Sequence, residues 1–441
     1  MNSYVKHFYF FICVIFLFFT EFLKYTFLPN YNYNKMIENI THKLCQLNIL
    51  YVKVFQAFAL NNNIIDENMN NMLMKFTDNA PWSSADIDKL TLIYLEKEFD
   101  IYFKDGYNPI NSGMISLVFK AVKNRNLNEY VIVKMKRKNI DIQLNDAIEG
   151  LQFFINICST IPFSNNLLQK YQIPQIIEKN IHLIRVQTDF QTEIKNMQTI
   201  KENCKYLKYV KIPSVLYDTS RKYPNVIIME YINGLPIHKI PKKDYESYAK
   251  QVMKFGLVTT LVHSVTHGDL HAGNILFIRD ENDNKYPYKI GVLDFGITYE
   301  IDMMFKQTLF ELLTQMNNVP PENLSVLLLH SGVIEPLDVL EHMPKEHYMT
   351  IVKMLTEIIC DTLHISKKVN QVKIYNFLQT FNQYIHKNDL VNLGLRPSDN
   401  FIKLQLALAM AHGVTLTLCG EKCIDLADNV INELFHTNLL K

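Results

Sequence analysis

Two acidic residues and an asparagine in the second half of the chain have types and a spacing that could carry chemistry. Asp269 lies within residues 267–277, Asn274 follows it five positions later, and Asp294 comes twenty positions after Asn274, directly before a Phe-Gly pair. Phosphoryl transfer from Mg-ATP needs oxygen ligands for Mg²⁺ and a carboxylate that orients the attacking hydroxyl. The pattern therefore predicts Asp269 as the catalytic base or orienting carboxylate, and Asn274 and Asp294 as metal ligands. Unrelated solvated turns explain two such motifs in this order poorly.

A lysine in the first half of the chain fits the same chemistry. Lys134 closes the sequence Val-Ile-Val-Lys, the position from which a kinase lysine reaches the α- and β-phosphates of ATP. Many strands end in lysine, but this one lies just after a predicted hairpin and well before Asp269. Residues 228–234 resemble the hinge whose backbone groups bind adenine, so Glu230 and Tyr231 are predicted to contact the nucleotide. The alternative for this stretch is an ordinary edge strand.

Two histidines, His267 and His271, flank Asp269 at a spacing of four residues. Metal binding is one interpretation of such a pair. We favour another, in which both imidazoles fix the backbone of the loop by hydrogen bonds. The short basic run at residues 136–138 is interpreted as a solvated strand end.

The elements that must position these residues follow from the hydrophobic pattern. Alternating apolar residues at 115–119 indicate a strand, and residues 130–136 indicate a second one after a turn-like segment, so the two predict a hairpin. Beyond it, the pattern is mostly helical at 141–209, strand-like at 211–217 and 225–231, and helical from 243 with one strand–loop–strand stretch at 264–298. A small β-rich lobe is therefore followed by a larger helical lobe.

The composition is that of a globular protein without a strong charge. The 441 residues include 45 Lys+Arg and 44 Asp+Glu, a formal net charge of +1, and 48% of them are hydrophobic and 20% charged. This excludes a wholly disordered chain and argues against a polytopic membrane protein. A dedicated nucleic-acid binder would carry a basic excess. The seven cysteines are odd in number and scattered, which favours a reducing compartment over a disulfide framework.

The first 28 residues are predicted to be a membrane anchor. Residues 8–19 carry no charge, and residues 22–28 could extend this segment if Glu21 and Lys24 lie near the membrane interface. The alternative is a buried first helix. An Arg-rich mitochondrial presequence is not expected, since the first arginine is Arg125.

Two further segments bear on this interpretation. Residues 29–34 are polar and are expected to form a flexible linker after the anchor. The apolar run at residues 404–418 is predicted to be a buried helix rather than a second membrane span, because 15 residues are few for crossing a bilayer.

The order of these motifs resembles the protein-kinase-like fold and, within it, the UbiB/ADCK family of atypical kinases. The likeness covers roughly residues 40–435. Residues 51–59, with Lys53 and Gln56, resemble the family's KxGQ helix. Phe55 stands where that motif has glycine, so the same close approach of the backbone is not open to it.

Residues 187–193 resemble a second element of the family, the ExD motif. The resemblance implies that Glu193 pairs with the strand lysine, and that Gln187 and Asp189 belong with Lys53 and Gln56 to a regulatory extension. Gln187 replaces the glutamate of the motif, which removes a charged partner for Lys53.

The loop that covers phosphate in kinases also departs from the usual pattern. Residues 109–121 lie where the UbiB/ADCK family has an alanine-rich loop in place of a glycine-rich one. Ser112 and Gly113 are predicted to contact the nucleotide, because glycine lets backbone N–H groups approach phosphate. No Ala-Pro-Glu follows Asp294, and the chain continues directly into a helical pattern at residues 303–315.

The resemblance implies a bilobal α+β fold of the kinase-like type, with a helical N-terminal extension and a mostly helical C-lobe. The corresponding division is an anchor (1–28), a linker with the extension (29–105), an N-lobe with inserted helices (106–232) and a C-lobe (233–441). The implied cofactors are ATP and Mg²⁺, and the acceptor is a small or lipid-like molecule rather than a protein. Known members of the family support ubiquinone-type isoprenoid-lipid metabolism at membranes.

Two other functions stay open from the sequence. The loop around Asp269 is close to that of aminoglycoside- and choline-kinase-like phosphotransferases, although such chains generally start near their first strand. A nucleotide-binding membrane scaffold without turnover would carry the same residues, because turnover depends on their fine placement. The sequence leaves the oligomeric state open.

Overall fold

The structure, a computed structural model, divides into two compact units that are described separately. Unit 1 comprises Met1–Ile194 and Ser214–Tyr231, and unit 2 comprises Lys195–Pro213 and Ile232–Lys441. The description covers residues 3–48, 51, 80–123, 129–170, 173–315, 319–362 and 394–436. Lys53, Phe55 and Gln56 lie outside the described residues, so their predicted regulatory role stays a prediction.

Unit 1 is built on an antiparallel sheet in the order β1-β3-β4-β6. β1 pairs with residues 122–123 of β3, and β2 pairs with residues 117–118 of the same strand. The strands are β1 (Ile101–Tyr102), β2 (Asn111–Ser112), β3 (Ser116–Lys123), β4 (Glu129–Lys136) and β6 (Val226–Glu230). The predicted hairpin is confirmed, because β3 and β4 pair along their whole length with Val118 opposite Lys134. Leu117, Phe119 and Val133 are fully buried in this sheet.

The helices of unit 1 are α1 (Ser3–Phe27), α2 (Tyr33–Leu47), α3 (Lys89–Phe99), α4 (Ile140–Thr160), α5 (Pro162–Lys170), α6 (Ile173–Gln187) and α8 (Tyr217–Lys222). A further helix, α7 (Phe190–Asn203), starts in unit 1 and ends in unit 2. α3 packs on the sheet through Leu92 and Leu95. α1 and α2 form a separate apolar cluster with α4 and α6.

The segment between α1 and α2 is an ordered turn and not the flexible linker that the sequence predicts. Tyr31 is buried, and its hydroxyl donates to the carboxylate of Glu21, which has no exposed surface. Asn32 caps α2 by accepting a hydrogen bond of 2.9 Å from the N–H of Lys35. The polar composition of residues 29–34 did not predict this turn, because Tyr31 is fixed by Glu21 of α1 and Asn32 by the first turn of α2.

Unit 2 is organised around α9 (Tyr245–Leu261), which packs against α14 (Asp399–Cys419) and α15 (Cys423–His436). Gly256 permits the first of these contacts, since a Cβ at this position would lie 2.5 Å from the Cβ of Ala411. Its other helices are α10 (Met303–Gln315), α11 (Pro321–His330), α12 (Leu337–His342) and α13 (Lys345–Thr362).

The strands of unit 2 form small separate sheets. They are β5 (Val210–Lys211), β7 (Val265–His267), β8 (Ile275–Arg279), β9 (Tyr288–Val292), β10 (Thr298–Glu300), β11 (Ile334–Glu335) and β12 (Arg396–Pro397). β8 and β9 are antiparallel with β5 parallel to β9, and β7 pairs with β10, as β11 does with β12.

The strand predicted at residues 211–217 is shorter than expected. β5 ends at Lys211, residue 215 makes only an isolated bridge to Met229, and α8 begins at Tyr217. Pro213 gives the physical reason, because proline has no N–H to donate to a ladder and interrupts a strand.

Two of the described helices, α1 over Val5–Phe27 and α14, are long and apolar enough to cross a membrane. The buried share of the apolar stretch is 17% in α1 and 44% in α14. α14 buries Phe401, Leu404 and Leu408 within unit 2, in agreement with the predicted buried helix. α1 keeps most of its apolar surface exposed.

Candidate active site

A buried ion pair in unit 1 joins two of the predicted residues. The Nζ of Lys134 lies 2.6 Å from the Oε1 of Glu193, and these residues are 7% and 2% exposed. Lys134 is held by β4, where the ladder places it between Val118 and Ile227 on the neighbouring strands. Burying two charges is costly unless they pair well. The short contact with Glu193 therefore gives the ammonium of Lys134 a defined position.

The start of α7 presents Glu193 to the lysine. Asp189 precedes the helix and accepts hydrogen bonds from the N–H of Gln191 at 3.0 Å and the hydroxyl of Thr192 at 2.7 Å. The hydroxyl bond is the main cause that holds the pKa of Asp189 below its usual range. The ring of Phe190, in the same turn, has its centroid 5.7 Å from the Nζ of Lys134. Gln187 ends α6 two residues before Asp189.

In the turn between β2 and β3, Ser112 and Gly113, which are predicted to contact the nucleotide, form hydrogen bonds with other protein groups. The hydroxyl of Ser112, in a residue that is 1% exposed, donates to the carbonyl of Ala80 at 2.7 Å and accepts from Arg137 at 2.8 Å. The N–H of Gly113 donates to the carbonyl of Ser116 at 2.9 Å. We therefore leave the Ser112 hydroxyl out of the proposed phosphate contacts.

Arg137 is a residue that the sequence analysis missed. The basic run at 136–138 was expected to be solvated, but Arg137 is buried and its guanidinium donates to Gly113, Pro81 and Asp86. One signal could have found it, since the chain has only six arginines against many lysines. Arginine presents several donors in one plane, which suits a buried position that several oxygen acceptors surround.

Glu230 and Tyr231 lie where unit 1 ends, since unit 2 resumes at Ile232. The N–H of Glu230 donates to the carbonyl of Ser214 at 2.8 Å. The Nζ of Lys120 lies 4.3 Å from the ring centroid of Tyr231. These contacts fix the segment, and its predicted role in adenine binding stays a prediction.

In unit 2, His267 connects the two loops that carry the acidic residues. Its Nδ1 accepts from the N–H of Asp269 at 3.1 Å, and its Nε2 contacts the carbonyl oxygen of Asp294. A backbone N–H can only donate and a carbonyl can only accept, so the ring is neutral with its proton on Nε2. Burial lowers the pKa of His267, which favours the same state.

Both flanking histidines therefore act on the backbone, as we favoured from the sequence. The Nδ1 of His271 accepts from the N–H of Gly273 at 3.1 Å, and its Nε2 lies 3.9 Å from a carboxylate oxygen of Asp269. His267 has both ring nitrogens engaged, which excludes the metal-ligand interpretation for it.

The two proposed metal ligands are oriented by their own backbone contacts. The Nδ2 of Asn274 donates to the carbonyl of Asp269 at 2.9 Å, which leaves the amide oxygen as the group for a cation. One carboxylate oxygen of Asp294 accepts from the N–H of Gly296 at 2.9 Å. Within the described part of the chain, no three His, Cys, Asp or Glu residues form a metal cluster. One amide and one carboxylate still suit Mg²⁺, which takes few protein ligands and is completed by phosphate and water.

Gly268 allows the loop before Asp269 to pack closely on the segment after Asp294. A Cβ at Gly268 would lie 2.6 Å from Ile297 and 2.9 Å from the ring of Tyr299. Burial, with a smaller contribution from the charge of Asp269, raises the pKa of Tyr299 to about 12. The phenol therefore stays neutral beside the carboxylate.

Comparison with known families identifies the family to which this chain belongs. The family model of the ABC1 atypical kinase-like domain matches residues 75–324, more than half of the chain. The chain belongs to the ABC1 family. The resemblance to UbiB/ADCK proteins and the kinase-like α+β fold are thereby confirmed.

Curated ABC1 relatives are distant and longer. The chain is 22% identical to the protein ACTIVITY OF BC1 COMPLEX KINASE 8, chloroplastic, of Arabidopsis thaliana over 316 residues, 67% of this chain and 38% of that protein. It is 24% identical to the probable protein kinase UbiB of Shewanella woodyi over 298 residues, 66% of this chain and 53% of that protein. The chain thus spans about half or less of the length of these relatives.

A solved structure, the complex of Rv3197 with erythromycin from Mycobacterium tuberculosis, is 18% identical and covers 89% of this chain and 93% of its own, with a TM-score of 0.48. The ABC1 match includes Lys134, Glu193, Asp269, Asn274 and Asp294 and ends within α11. α1 and α2 precede it, and α12–α15 follow it.

Proposed function

We propose that this ABC1 protein binds Mg-ATP and transfers or hydrolyses its terminal phosphoryl group. The observation that carries the proposal is the buried Lys134–Glu193 pair at 2.6 Å. An ion pair so far out of water adds little to stability compared with apolar packing. In a kinase-like family it supports a function in which the ammonium contacts the phosphates.

The residues of unit 2 have complementary proposed roles. Asp269 orients the acceptor hydroxyl and accepts its proton, and His267 holds the backbone of this aspartate in place. Asn274 and Asp294 would hold Mg²⁺, which supplies positive charge to the phosphate oxygens. Tyr299 stays protonated and so adds no negative charge beside Asp269.

The acceptor that we propose is a small or lipid-like molecule at a membrane, with isoprenoid-lipid metabolism as the setting. α1 supports a membrane setting, because large apolar side chains are exposed along its length, among them Phe8, Phe16, Phe19 and Phe22. A contiguous apolar surface of this extent on a described helix marks an interaction site.

We propose further that α1 lies along the membrane surface rather than across it. Lys6, near its start, is hydrogen-bonded to Asp146 of α4, and Glu21, near its end, accepts from Lys43 of α2 at 2.9 Å. Both ends of the helix are thus tied to helices of the same unit, and these contacts would keep α1 beside that unit at the membrane surface. Alkaline carbonate should release the protein from vesicles, whereas retention would indicate a spanning helix.

The test of the nucleotide site is thermal unfolding of the full chain in detergent, with and without Mg-ATP. A ligand at about 100 times its Kd adds about 2.7 kcal/mol to stability, a readily visible shift. The shift should vanish in Asp294→Asn and persist in the control Asp338→Asn, which changes an exposed aspartate in α12. A well-folded parent protein that shows no shift would contradict the proposal.

A scaffold that binds nucleotide without turnover is the second candidate. It shares the shift with Mg-ATP and differs in product formation. Release of inorganic phosphate, or transfer of labelled phosphate to a lipid extract or a small alcohol, would favour the enzyme when Asp269→Asn abolishes it. Binding without either product would favour the scaffold.

A further inference from the structure

Arg137 joins three segments of unit 1 through one buried guanidinium. It is the first residue after β4, three positions beyond Lys134, and it is 7% exposed. Its Nε and Nη2 donate to the carbonyl of Gly113 at 3.1 and 2.9 Å. Its Nη1 donates to the carbonyl of Pro81 at 2.9 Å. The turn between β2 and β3 and the segment around Pro81 therefore share one cation.

Further contacts complete this arrangement. Nη2 also donates to the hydroxyl of Ser112 at 2.8 Å and to the carbonyl of Ala80 at 3.3 Å. Nη1 lies 3.2 Å from a carboxylate oxygen of Asp86. The backbone N–H of Arg137 donates to the carbonyl of Ile115 at 2.9 Å, so the turn is held by the main chain and by the side chain.

Arg137 donates mostly to neutral carbonyl and hydroxyl oxygens, and the carboxylate of Asp86 supplies the opposite charge. Burial lowers the pKa of the guanidinium, and Asp86 acts in the opposite direction. Arginine stays charged under such conditions and presents several donors in a rigid plane. A lysine would keep the charge but could not reach Gly113, Pro81 and Ser112 in the same way.

The position of the turn relative to Lys134 follows from these contacts. Residues 113–116 close the turn that leads into β3, and Val118 of β3 lies opposite Lys134 in the ladder. Arg137 directly follows the strand that carries Lys134, and its guanidinium donates to the carbonyl of Gly113 in the turn. A change in the guanidinium would move the turn while leaving the Lys134–Glu193 pair in place.

We propose that Arg137 is a positioning residue that holds the turn at residues 113–116 in register with Lys134, and that it ties the turn to the segment at residues 80–86. This inference rests on the proposed nucleotide binding. It places the effect on the phosphates, because the turn leads into β3 beside Lys134, and Lys134 is the proposed phosphate contact. It also predicts that a displacement of residues 80–86 is passed to the turn through Arg137.

The test compares two ligands that differ in their phosphates. Binding of Mg-ATP and of adenosine to the full chain is measured by calorimetry for the parent protein and Arg137→Lys. We expect the affinity for Mg-ATP to fall about tenfold, as for the loss of one strong interaction, while that for adenosine changes less than about twofold. Arg221→Lys is the control, since it makes the same exchange at an exposed site in α8.

A general loss of structure would weaken both ligands equally, and that result or an unchanged affinity for Mg-ATP would overturn the inference. If Arg137→Lys fails to fold, Asp86→Asn decides, because it removes the partner charge while the amide oxygen can still accept from the N–H of Ser83. Asp86→Asn should lower the affinity for Mg-ATP by about threefold, again without an equal effect on the affinity for adenosine. A parent protein that binds neither ligand would overturn the proposed function and this inference together.

Discussion

Two groups of candidate side chains, one in each unit, are held by opposite kinds of interaction. In unit 1, Lys134 and Glu193 are fixed by full charges away from water. In unit 2, the loops with Asp269 and Asp294 are fixed by hydrogen bonds between the neutral ring of His267 and the backbone. Because the first group depends on charge balance and the second on protonation and packing, different changes should disrupt each.

The largest effect is expected from Lys134→Met. The change leaves the carboxylate of Glu193 buried without its cation, and breaking a buried pair in this way costs about 3–5 kcal/mol. Urea unfolding would measure it. The double variant with Glu193→Leu removes both charges and should recover most of the loss. A double variant as unstable as the single one would show that the pair is held by packing and not by charge.

Gly268→Ala should have the next largest effect, now in unit 2. The added methyl group would meet Ile297 and Tyr299 at under 3 Å, and such overpacking costs about 1–3 kcal/mol. Gly413→Ala is a matched control, because a Cβ there meets nothing within 4 Å. Because Gly413 lies in the middle of α14, its replacement by alanine should raise the free energy of unfolding by about 0.5–1 kcal/mol. Equal effects of the two changes on the midpoint of unfolding would contradict the packing described for Gly268.

A change of pH should separate the groups further. Burial lowers the pKa of His267 below its usual value of 6.5, so below that value the unfolded chain binds a proton that the folded loop resists. The stability contribution of the neutral ring is present above pH 6.5 and is lost as the pH falls beneath it.

Denaturant unfolding at about pH 7 and about pH 5 measures this loss. Other histidines contribute, since burial also lowers the pKa of His263 to about 4. The difference between the parent protein and His267→Gln isolates the ring in question, because glutamine does not titrate. A variant with the same pH dependence as the parent protein would mean that His267 does not hold the loops.

The smallest effect is expected from Lys205→Ala. Lys205 pairs with Glu202, and their side chains are 71% and 69% exposed. An exposed pair of this kind contributes about 0.2–1 kcal/mol and is screened by salt. A loss in the range expected for Lys134→Met would contradict the distinction between exposed and buried pairs.

The strands, and the loops that carry Asp269 and Asp294, could be predicted because their signals are local. Alternation at residues 115–119 identified β3, and the spacing from Asp269 to Asp294 placed both residues on loops beside β8 and β9. The pairing of Lys134 with Glu193 came from a family resemblance, since the two residues are 59 positions apart. Composition and periodicity contain no information about such a contact.

Other features depend on tertiary neighbours and were missed. Arg137 reads as a surface residue among lysines, and only the fold brings Ala80, Ser112 and Gly113 around it. Tyr31 lies in a polar stretch and is buried only because Glu21 of α1 accepts its hydroxyl. In both cases the partners of a polar side chain lie in other elements, 10 positions away for Tyr31 and 57 for the contact of Arg137 with Ala80, where a pattern of neighbours cannot show them.

The attachment of α1 at both of its ends has a consequence for direction. A helix on a single tether lets its protein domain tumble above a membrane, whereas one fixed through Lys6 and Glu21 turns together with the helices it contacts. Whatever surface receives the exposed face of α1 therefore also sets the angle at which unit 1 stands on it. A lipid acceptor would then approach this unit from one side only, and its diffusion toward it would be confined to two dimensions.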